Sequence, residues 1–324
     1  MHIFDGKSVL ITGGTGSFGK VFVKFALAET KAKRIIIFSR DELKQWEMTQ
    51  QFEGEPRLRF FLGDVRDRDR LLRAMDGVDY VVHAAALKQV PAAEYNPFEA
   101  VQTNILGARN VIDAAIDRGV HRVIALSTDK ACSPINLYGA TKLVSDKLFI
   151  DGNAYAGSRD TRFAVVRYGN VVGSRGSVVP LFRRLALTGK LPITDPQMTR
   201  FWITLDRGVR TVLRSLEMMR GGEIFVPKIP SMRVVDLARA IAPDAQLEEI
   251  GIRPGEKLHE ELINVHDARH TIDLGDCYAI EPSMDWWESQ KHDGEPVPPG
   301  FNYTSDTNDQ WLTVEQLQEM IRDV

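Results

Sequence analysis

The 324-residue sequence lacks several patterns that identify whole classes of protein. It has two cysteines, Cys132 and Cys277, which cannot form a disulfide framework and which are typical of a reducing compartment. Among its seven histidines only His266 and His270 stand four residues apart, and we interpret them as a surface pair. No cysteine or histidine spacing indicates a metal site, so we predict none.

Long apolar runs and a strong charge bias are also missing. Apolar runs such as residues 80–87 are far shorter than the roughly 20 residues of a membrane-spanning helix, and the first residues lack the apolar stretch of a secretory signal. The formal net charge of -3 gives no general affinity for nucleic acid or a membrane surface. We therefore expect a cytoplasmic protein that binds neither.

What the sequence does contain is a regular alternation of apolar runs and segments with helical spacing. Strands are predicted at residues 7–12, 34–38, 58–62, 80–83, 122–127, 163–167 and 222–226, and helices at 20–28, 69–75, 98–118, 208–219 and 313–321. Continuous apolar strands separated by helices are typical of a parallel sheet covered on both faces. The predicted fold class is α/β, with a doubly wound parallel sheet.

The alternation is interrupted after the strand at 163–167. Residues 169–176 are rich in glycine, and Pro180, Pro192 and Pro196 follow. Because single cores stop growing at about 250–300 residues, we expect a second, smaller lobe. We predict that residues 1–169 and about 200–228 form the sheet domain, whereas about 170–199 and 229–324 form a discontinuous C-terminal substrate lobe.

The first turn of the predicted sheet carries three glycines three residues apart, Gly13, Gly16 and Gly19. Glycine lets the backbone approach a pyrophosphate, which then rests on the N-terminus of the next helix. A strand before the turn and a helix after it supply the required context. We predict a dinucleotide site that also includes Thr15, Ser17 and Phe18.

The end of the second predicted strand bears on the choice of dinucleotide. Arg40 stands where an acidic residue would hold a ribose hydroxyl, and arginine there accommodates a 2′-phosphate, which favours NADP. The alternative is that Asp41 binds the ribose and Arg40 is a solvated charge. Asp64 and Val65 are predicted to meet the adenine, and the small side chains of Ala84 and Ala86 let the cofactor lie close.

A second cluster of polar residues follows the fifth predicted strand. Tyr138 and Lys142 are four residues apart and share one helical face, where the ammonium lowers the phenol pKa so that a phenolate can act as a base. Thr128, Asp129 and Lys130 lie at the end of the strand before them. The alternative is that Asp129 and Lys130 form only a structural salt bridge.

These features resemble the extended short-chain dehydrogenase/reductase family, which has the Rossmann fold, over essentially the whole chain. Within it, several segments resemble the UDP-N-acetylglucosamine 4,6-dehydratases of the inverting kind, which make the first intermediate of pseudaminic acid, a sugar of bacterial flagella and surface polysaccharides. The segments are residues 39–44, 128–130, 167–173, 195–204 and 253–257.

The resemblance implies a role for each catalytic candidate. Tyr138, supported by Lys142 and Thr128, takes the proton of the sugar 4-hydroxyl as hydride passes from C4 to the nicotinamide. Lys130 then removes the C5 proton and Asp129 protonates the departing 6-hydroxyl, after which hydride returns to C6. As a base Lys130 must be neutral, which burial beside the cationic nicotinamide and Lys142 could achieve.

The resemblance also extends both binding sites. It adds Ser39, Lys44, Lys88, Tyr138 and Lys142 to the NADP contacts. It assigns UDP-N-acetylglucosamine to Lys88, Lys130, Asn170, Arg175, Val178, Thr194, Arg253 and Glu256. We interpret Arg183 and Arg184 as solvated charges.

Three other functions and an assembly state stay open at this point. A nucleotide-sugar 4-epimerase would need Tyr138 and Lys142 but no acid and base for C6, and a C5-retaining dehydratase is a further alternative. A non-catalytic NADP-sensing module could dispense with the Tyr and Lys pair. The helices at 98–118 and 138–150 could form a dimer interface, and we expect a homo-oligomer, a dimer or a hexamer.

Overall fold

The computed structural model describes residues 2–174, 176–284 and 291–322. Its first half alternates strands and helices, as the apolar pattern predicts. In chain order these are β1 (Ser8–Thr12), α1 (Ser17–Glu29), β2 (Arg34–Ser39), α2 (Glu42–Gln51), β3 (Leu58–Leu62), α3 (Arg68–Ala74), β4 (Tyr80–His83), α4 (Val90–Tyr95), α5 (Pro97–Ala100), a π-helical turn (Val101–Leu106), α6 (Gly107–Arg118), β5 (Arg122–Thr128), a 3₁₀ turn (Asp129–Ala131), α7 (Leu137–Tyr155) and β6 (Arg162–Tyr168).

The second half is made of shorter elements. They are β7 (Asn170–Val171), α8 (Val178–Ala186), β8 (Lys190–Ile193), β9 (Thr199–Ile203), α9 (Leu205–Met218), β10 (Ile224–Pro227), β11 (Ser231–Arg233), α10 (Val234–Ile241), β12 (Gln246–Glu249), β13 (Glu261–Ile263), a 3₁₀ turn (Asp267–His270), β14 (Thr271–Asp273), β15 (Cys277–Ile280), β16 (Glu295–Pro296), β17 (Tyr303–Thr304) and α11 (Val314–Ile321).

Ten of the described strands form one large sheet, in the order β16-β14-β15-β10-β6-β5-β4-β1-β2-β3. The strands from β10 to β3 pair in parallel, whereas β15, β14 and β16 add antiparallel pairs at one side. All five residues of β1 are buried, as expected for a strand covered on both faces. The predicted doubly wound Rossmann sheet is confirmed.

The helix expected at residues 98–118 runs without a break, but its turn at Val101–Leu106 is π-helical rather than α-helical. Helix α5 ends at Ala100, and a π-helical turn precedes α6. The side chain of Asn104, inside that turn, bonds to both backbone groups of Leu87 and to the Thr141 hydroxyl. Such π-bulges are frequent at functional sites, and this one ties the loop after β4 to α7.

Smaller sheets lie outside the large one and frame the second half of the chain. They are β11-β9-β7, β12-β8 and β13-β17. The division into two lobes stays a prediction, but the structure differs from its boundaries in one respect, because β14, β15 and β16 fall within 229–324 and yet join the large sheet. No helix in the described ranges combines the length and apolarity needed to cross a membrane.

Candidate active site

A crevice opens where the strand order reverses, between β1 and β4. From this point the chain proceeds outward to β2 and β3 on one side and to β5 and β6 on the other. In doubly wound sheets ligands bind at this switch point, outside the carboxyl ends of the strands. The glycine turn after β1, the loop after β4 and the polar turn after β5 all lie at this edge.

The glycine turn is packed so closely that side chains could not replace its glycines. Gly13 has φ +66°, and a Cβ atom there would lie 2.9 Å from the Ala85 nitrogen. A Cβ on Gly19 would lie 2.3 Å from the Gly14 oxygen, so α1 can approach β1 only without one. Gly16 caps α1 without a side-chain bond, which leaves first-turn amides for a phosphate. This geometry fits a dinucleotide pyrophosphate.

The side chains after β2 separate the two candidate ribose ligands. Asp41 is the N-cap of α2. Its carboxylate accepts a hydrogen bond from the Lys44 amide at 3.0 Å and forms an ion pair with the Lys44 ammonium. Arg40 is half exposed, and its Nη1 lies 3.5 Å from Asp64 Oδ2. Buried Ser39 accepts a hydrogen bond from Gln45. A capping role thus accounts for Asp41, and Arg40 lies beside Asp64.

The loop after β4 is fixed by hydrogen bonds from both neighbours. Thr12 Oγ1 accepts from the amides of Ala84 and Ala85, each at 3.2 Å, and lies 2.8 Å from His83 Nδ1. Leu87 is clamped by Asn104 as described above. Ala84 and Ala86 therefore present small side chains at a fixed wall of the crevice, and Lys88 follows as an exposed cation.

The residues after β5 form a compact charged turn. Thr128 Oγ1 donates to Asp129 Oδ1 at 2.8 Å, and the Lys130 ammonium donates to the same oxygen at 3.0 Å. The side chain of Asp129 is 1% exposed and that of Lys130 is 24% exposed. The second neighbour of Lys130 is Glu260, whose Oε1 lies 3.1 Å from Nζ. The predicted acid and base are thus in direct contact.

Helix α7 brings Tyr138 to this turn. Asn136 caps the helix by accepting from the Gly139 amide at 2.7 Å, and Gly139 packs against the Lys130 carbonyl. The Tyr138 hydroxyl lies close enough to Thr128, Asp129 and Lys130 for all three to shift its pKa. Lys142, one turn later, is buried and donates to the Leu126 carbonyl at 2.7 Å. All five predicted catalytic residues therefore meet at the carboxyl end of β5.

The charge states of two of these residues differ from the expectations. Burial raises the pKa of Tyr138 to about 12, and the positive charge of Lys130 opposes that shift only in part. For Lys130, burial lowers the pKa, but the negative charges of Asp129 and Glu260 outweigh burial and hold the pKa above its ordinary value. Burial alone therefore does not make Lys130 neutral; its two carboxylates keep it an ammonium.

A separate cavity of about 490 Å³ collects most of the residues assigned to the nucleotide sugar. Its lining includes Asn170, Val178, Thr194, Arg253 and Glu256. Lys88 and Lys130 are not part of this lining and lie at the crevice, and Arg175 lies outside the described residues.

Two cations besides Arg253 line the cavity wall. Arg184 is one of them and is exposed, so its interpretation as a solvated charge stays a prediction. Arg183 instead donates to the Ile321 carbonyl. Arg200 of β9 also lines the cavity, and its Nε lies 3.7 Å from Glu260 Oε1. Neither Arg200 nor Glu260 was a sequence candidate, because no local pattern reveals a contact with Lys130 made across 130 residues.

The described residues offer no group of three or more His, Cys, Asp or Glu side chains that could hold a metal ion. The polar groups that do converge are those of the crevice and the cavity. They consist of a hydroxyl pair, two carboxylates and several cations, which suit proton transfer and anion binding.

The model of a known family, described as "Polysaccharide biosynthesis protein", matches residues 9–282 of the chain. The chain belongs to this family. One relative, named UDP-N-acetylglucosamine 4,6-dehydratase (inverting), from Campylobacter jejuni, is 55% identical over 98% of both chains. Another, named UDP-glucose 4-epimerase, from Rickettsia canadensis, is 46% identical over 86% of this chain and 84% of its own. The predicted resemblance is confirmed.

Solved structures agree with the fold. The chain resembles Pen from Bacillus thuringiensis, with a TM-score of 0.90, 38% identity and 99% of both chains covered. It also resembles DesIV, a dTDP-glucose 4,6-dehydratase from Streptomyces venezuelae with NAD and TYD bound. There the TM-score is 0.69 and the identity 26%, over 78% of this chain and 86% of that one. Both solved structures thus share the fold of this chain.

Proposed function

We propose that the protein is an NADP-dependent UDP-N-acetylglucosamine 4,6-dehydratase that inverts C5 and yields a UDP-linked 4-keto-6-deoxy-hexosamine. One observation carries the proposal: Asp129 and Lys130 share a hydrogen bond directly beside Tyr138. Tyr138 is placed for the proton of a 4-hydroxyl, and the adjoining pair supplies an acid and a base for the neighbouring carbons. The relative with this name, 55% identical over 98% of both chains, supports the same activity.

The residues divide the reaction into two proton-transfer steps. Tyr138 takes the proton of the 4-hydroxyl as a phenolate, a form that the positive charges of Lys130 and of a bound nicotinamide would favour against the burial that raises the Tyr138 pKa. Transfer of a single proton from Lys130 to Asp129 then leaves a neutral amine and a carboxylic acid without changing the net charge. The amine removes the C5 proton that the new ketone acidifies, and the acid protonates the leaving 6-hydroxyl. When bound, NADP would supply the hydride acceptor at C4 and the donor at C6, and a proton is returned to C5 on the face opposite to the one that lost it.

The cofactor proposal rests on the crevice. The glycine turn leaves room for a pyrophosphate, and a dinucleotide bound there extends between the loop after β4 and the end of β2. Asp41 is held as a helix cap by Lys44, so Arg40 remains for a 2′-phosphate. NADP is therefore favoured over NAD.

The substrate proposal rests on the cavity. Its volume of about 490 Å³ falls within the range of ligand sites. Arg184, Arg200 and Arg253 line it, and their forked donors suit a diphosphate. Arg253 lies 3.6 Å from Glu256, which can orient it. A UDP moiety in this cavity would direct its sugar towards Glu260 and Lys130, since Arg200 joins the two regions.

Assembly and cellular role are proposed on different grounds. Five apolar side chains on and around α4, α5 and α7 are exposed, namely Tyr95, Phe98, Ile135, Val144 and Tyr155. Tyr95 and Phe98 are 88% and 81% exposed, which is unusual for large side chains and fits an interface between copies in a homo-oligomer. We place the protein in the cytoplasm, in the synthesis of a surface polysaccharide or flagellar sugar such as pseudaminic acid.

The test is proton NMR of the purified protein with UDP-N-acetylglucosamine and NADP in deuterated water. A C6 methyl signal, deuterium at C5 and couplings of the L-arabino configuration are expected. A C6 methyl with the original C5 configuration would make the enzyme a retaining dehydratase. A sugar inverted at C4 that keeps its 6-hydroxyl would overturn the proposal in favour of an epimerase.

The epimerase is the second candidate because a relative 46% identical carries that name. The crevice would serve it, since epimerisation uses the same tyrosine and cofactor. It has no use for an acid and a base at C6, however, and the buried Asp129 with its bound Lys130 would then be unexplained. Burying such charges costs free energy, and a function that needs them explains why they are retained. Dehydration is therefore favoured.

A further inference from the structure

Glu260 is a buried carboxylate from a distant segment that contacts the catalytic turn. It is 2% exposed and immediately precedes β13. Its Oε1 lies 3.1 Å from Lys130 Nζ and 3.7 Å from Arg200 Nε. The side chains thus form a line of alternating charge, from Asp129 through Lys130 and Glu260 to Arg200. This line joins the catalytic turn to the wall of the nucleotide cavity.

The backbone of Glu260 is fixed by its neighbours. Its amide donates to Ser305 Oγ at 2.9 Å, and its carbonyl accepts from the Ser305 amide at 2.8 Å. Ser305 Oγ in turn lies 2.7 Å from Thr199 Oγ1, in β9. Two further segments therefore hold Glu260 in place, so its carboxylate is not free to follow a moving lysine. The lysine, which has the longer and more flexible side chain, is the partner that is positioned.

One oxygen of Glu260 is not satisfied. Within the described part of the chain, Oε2 is buried and has no hydrogen-bond partner. A buried unpaired polar oxygen destabilises the fold. Structural ion pairs are usually fully bonded, and exceptions in native proteins call for a functional explanation. The other oxygen of this carboxylate, Oε1, contacts the proposed general base, which supplies such an explanation.

We propose that Glu260 is a positioning residue, which holds the Lys130 ammonium against Asp129 and so keeps the pair supplied with its single shared proton. Its role in catalysis rests on the proposed dehydratase function. Without it, the flexible lysine would lose its second anchor and would no longer be held 3.0 Å from Asp129 Oδ1. Glu260 touches no reacting atom, so it acts through Lys130.

The sign of its electrostatic effect follows from the charges around Lys130. The groups facing it are Asp129 on the same turn, Tyr138 on α7, Glu260 before β13 and, behind Glu260, Arg200 on β9. Removing one negative charge from this set makes every remaining proton easier to lose. Both limbs of the pH profile should therefore move to lower pH. A carboxylate at such a distance shifts a neighbouring pKa by about 1–3 units.

The test compares Glu260→Gln with Glu261→Gln, which removes the same charge one residue later. Glu261 accepts from Ser133 Oγ at 2.7 Å, outside the line of charge. For Glu260→Gln we expect kcat to fall about tenfold to hundredfold with KM little changed, and the pH optimum to drop by about one unit or more. Glu261→Gln should keep the wild-type profile.

A second measurement needs no substrate. Lys130 acetylation by acetic anhydride is followed across pH by peptide mass spectrometry, since only the neutral amine reacts. In Glu260→Gln the labelling of Lys130 should begin about one or more pH units lower than in the wild type, and Glu261→Gln should not change it. Unshifted labelling of Lys130 in Glu260→Gln overturns the proposal even if the protein is an active dehydratase. Shifted labelling in a protein that does not dehydrate the sugar refutes only the proposed function.

Glu260→Asp is a second variant, which keeps the test valid if Glu260→Gln fails to fold. It keeps the charge but shortens the reach by one methylene, so it should reduce kcat while shifting the labelling of Lys130 less than Gln does, in the same direction. A merely structural residue would lower the yield or stability of both variants without moving either pH dependence. That outcome would also overturn the proposal.

Discussion

A Cβ atom on Gly139 would lie 2.1 Å from the carbonyl oxygen of Lys130. Helix α7 therefore meets the Asp129–Ala131 turn backbone against backbone. This contact, rather than any bond between side chains, sets the distance between Tyr138 and the pair formed by Asp129 and Lys130. It also explains why glycine follows Tyr138.

Gly139→Ala should therefore separate the helix from the turn. We expect kcat to fall about hundredfold, because displacements of about 1 Å carry such costs, while NADP binding, measured by fluorescence titration, stays near the wild-type value. The matched control is Gly208→Ala in α9, where a Cβ would meet nothing within 4 Å. Equal kcat values for the two variants would contradict this account of Gly139.

Lys130→Met should leave the first step, C4 oxidation, intact and slow the steps that follow it. Tyr138, Thr128 and Lys142 remain, so C4 oxidation proceeds and the near-ultraviolet absorbance of reduced nicotinamide rises and persists. Product should form about 100- to 10,000-fold more slowly, the usual contribution of a positioned base. Lys147→Met, an exposed lysine on the same helix as Tyr138, is the control. If oxidation and elimination were lost together, Lys130 would serve the first step as well.

Arg40→Ala should reduce the preference for NADP over NAD. Loss of a charge-assisted bond to a 2′-phosphate costs about 1.5–3 kcal/mol, which corresponds to roughly a tenfold to hundredfold weaker Kd for NADP. The Kd for NAD should hardly change. Isothermal titration with both dinucleotides checks this, and an equal loss for both would show that Arg40 does not recognise the phosphate.

His83 should give the fold a pH dependence of its own. Burial, reinforced by the charge of Lys142, lowers the pKa of His83 from 6.5 to about 3. The unfolded chain therefore binds a proton that the folded chain does not, so this stability is complete above pH 6.5 and declines as the pH falls towards 3. The loss is about 1.4 kcal/mol per pH unit in that window.

Urea unfolding at pH 6.5 and pH 5 measures this effect. The free energy of unfolding should fall by about 2 kcal/mol more in the wild type than in His83→Gln, which has no proton to bind. The glutamine can still bond to Thr12, which lies 2.8 Å from the histidine ring nitrogen. The same decline in both proteins would assign the pH dependence to other groups.

The local pattern of apolar residues was sufficient to predict much of the sheet. The strand Tyr80–His83 lies where the apolar run predicts it, because a buried parallel strand is an uninterrupted apolar run. The π-helical turn at Val101–Leu106 was not predicted. It accompanies a set of bonds from Asn104 to Leu87 and Thr141, which the sequence does not display.

The candidate site shows the same limit of prediction from sequence. Tyr138 and Lys142 are neighbours on one helix, and Asp129 and Lys130 are adjacent, so spacing alone brings each pair together. Charge states, in contrast, depend on every group within several ångströms. Glu260 reaches Lys130 from far along the chain, and it is this carboxylate that helps to keep the lysine protonated against the cost of burial.

The pairing of β10 has a consequence for synthesis on the ribosome. One side of β10 joins β6 in parallel, and the other side is covered by antiparallel β15. The intervening chain, which contributes β11, α10, Arg253 and Glu256, must emerge first. Until β15 follows, β10 offers an unpaired row of amides and carbonyls, the kind of edge on which nascent chains aggregate. The antiparallel strands at this side of the sheet thus close it only after Arg253 and Glu256, which line the cavity, have been made.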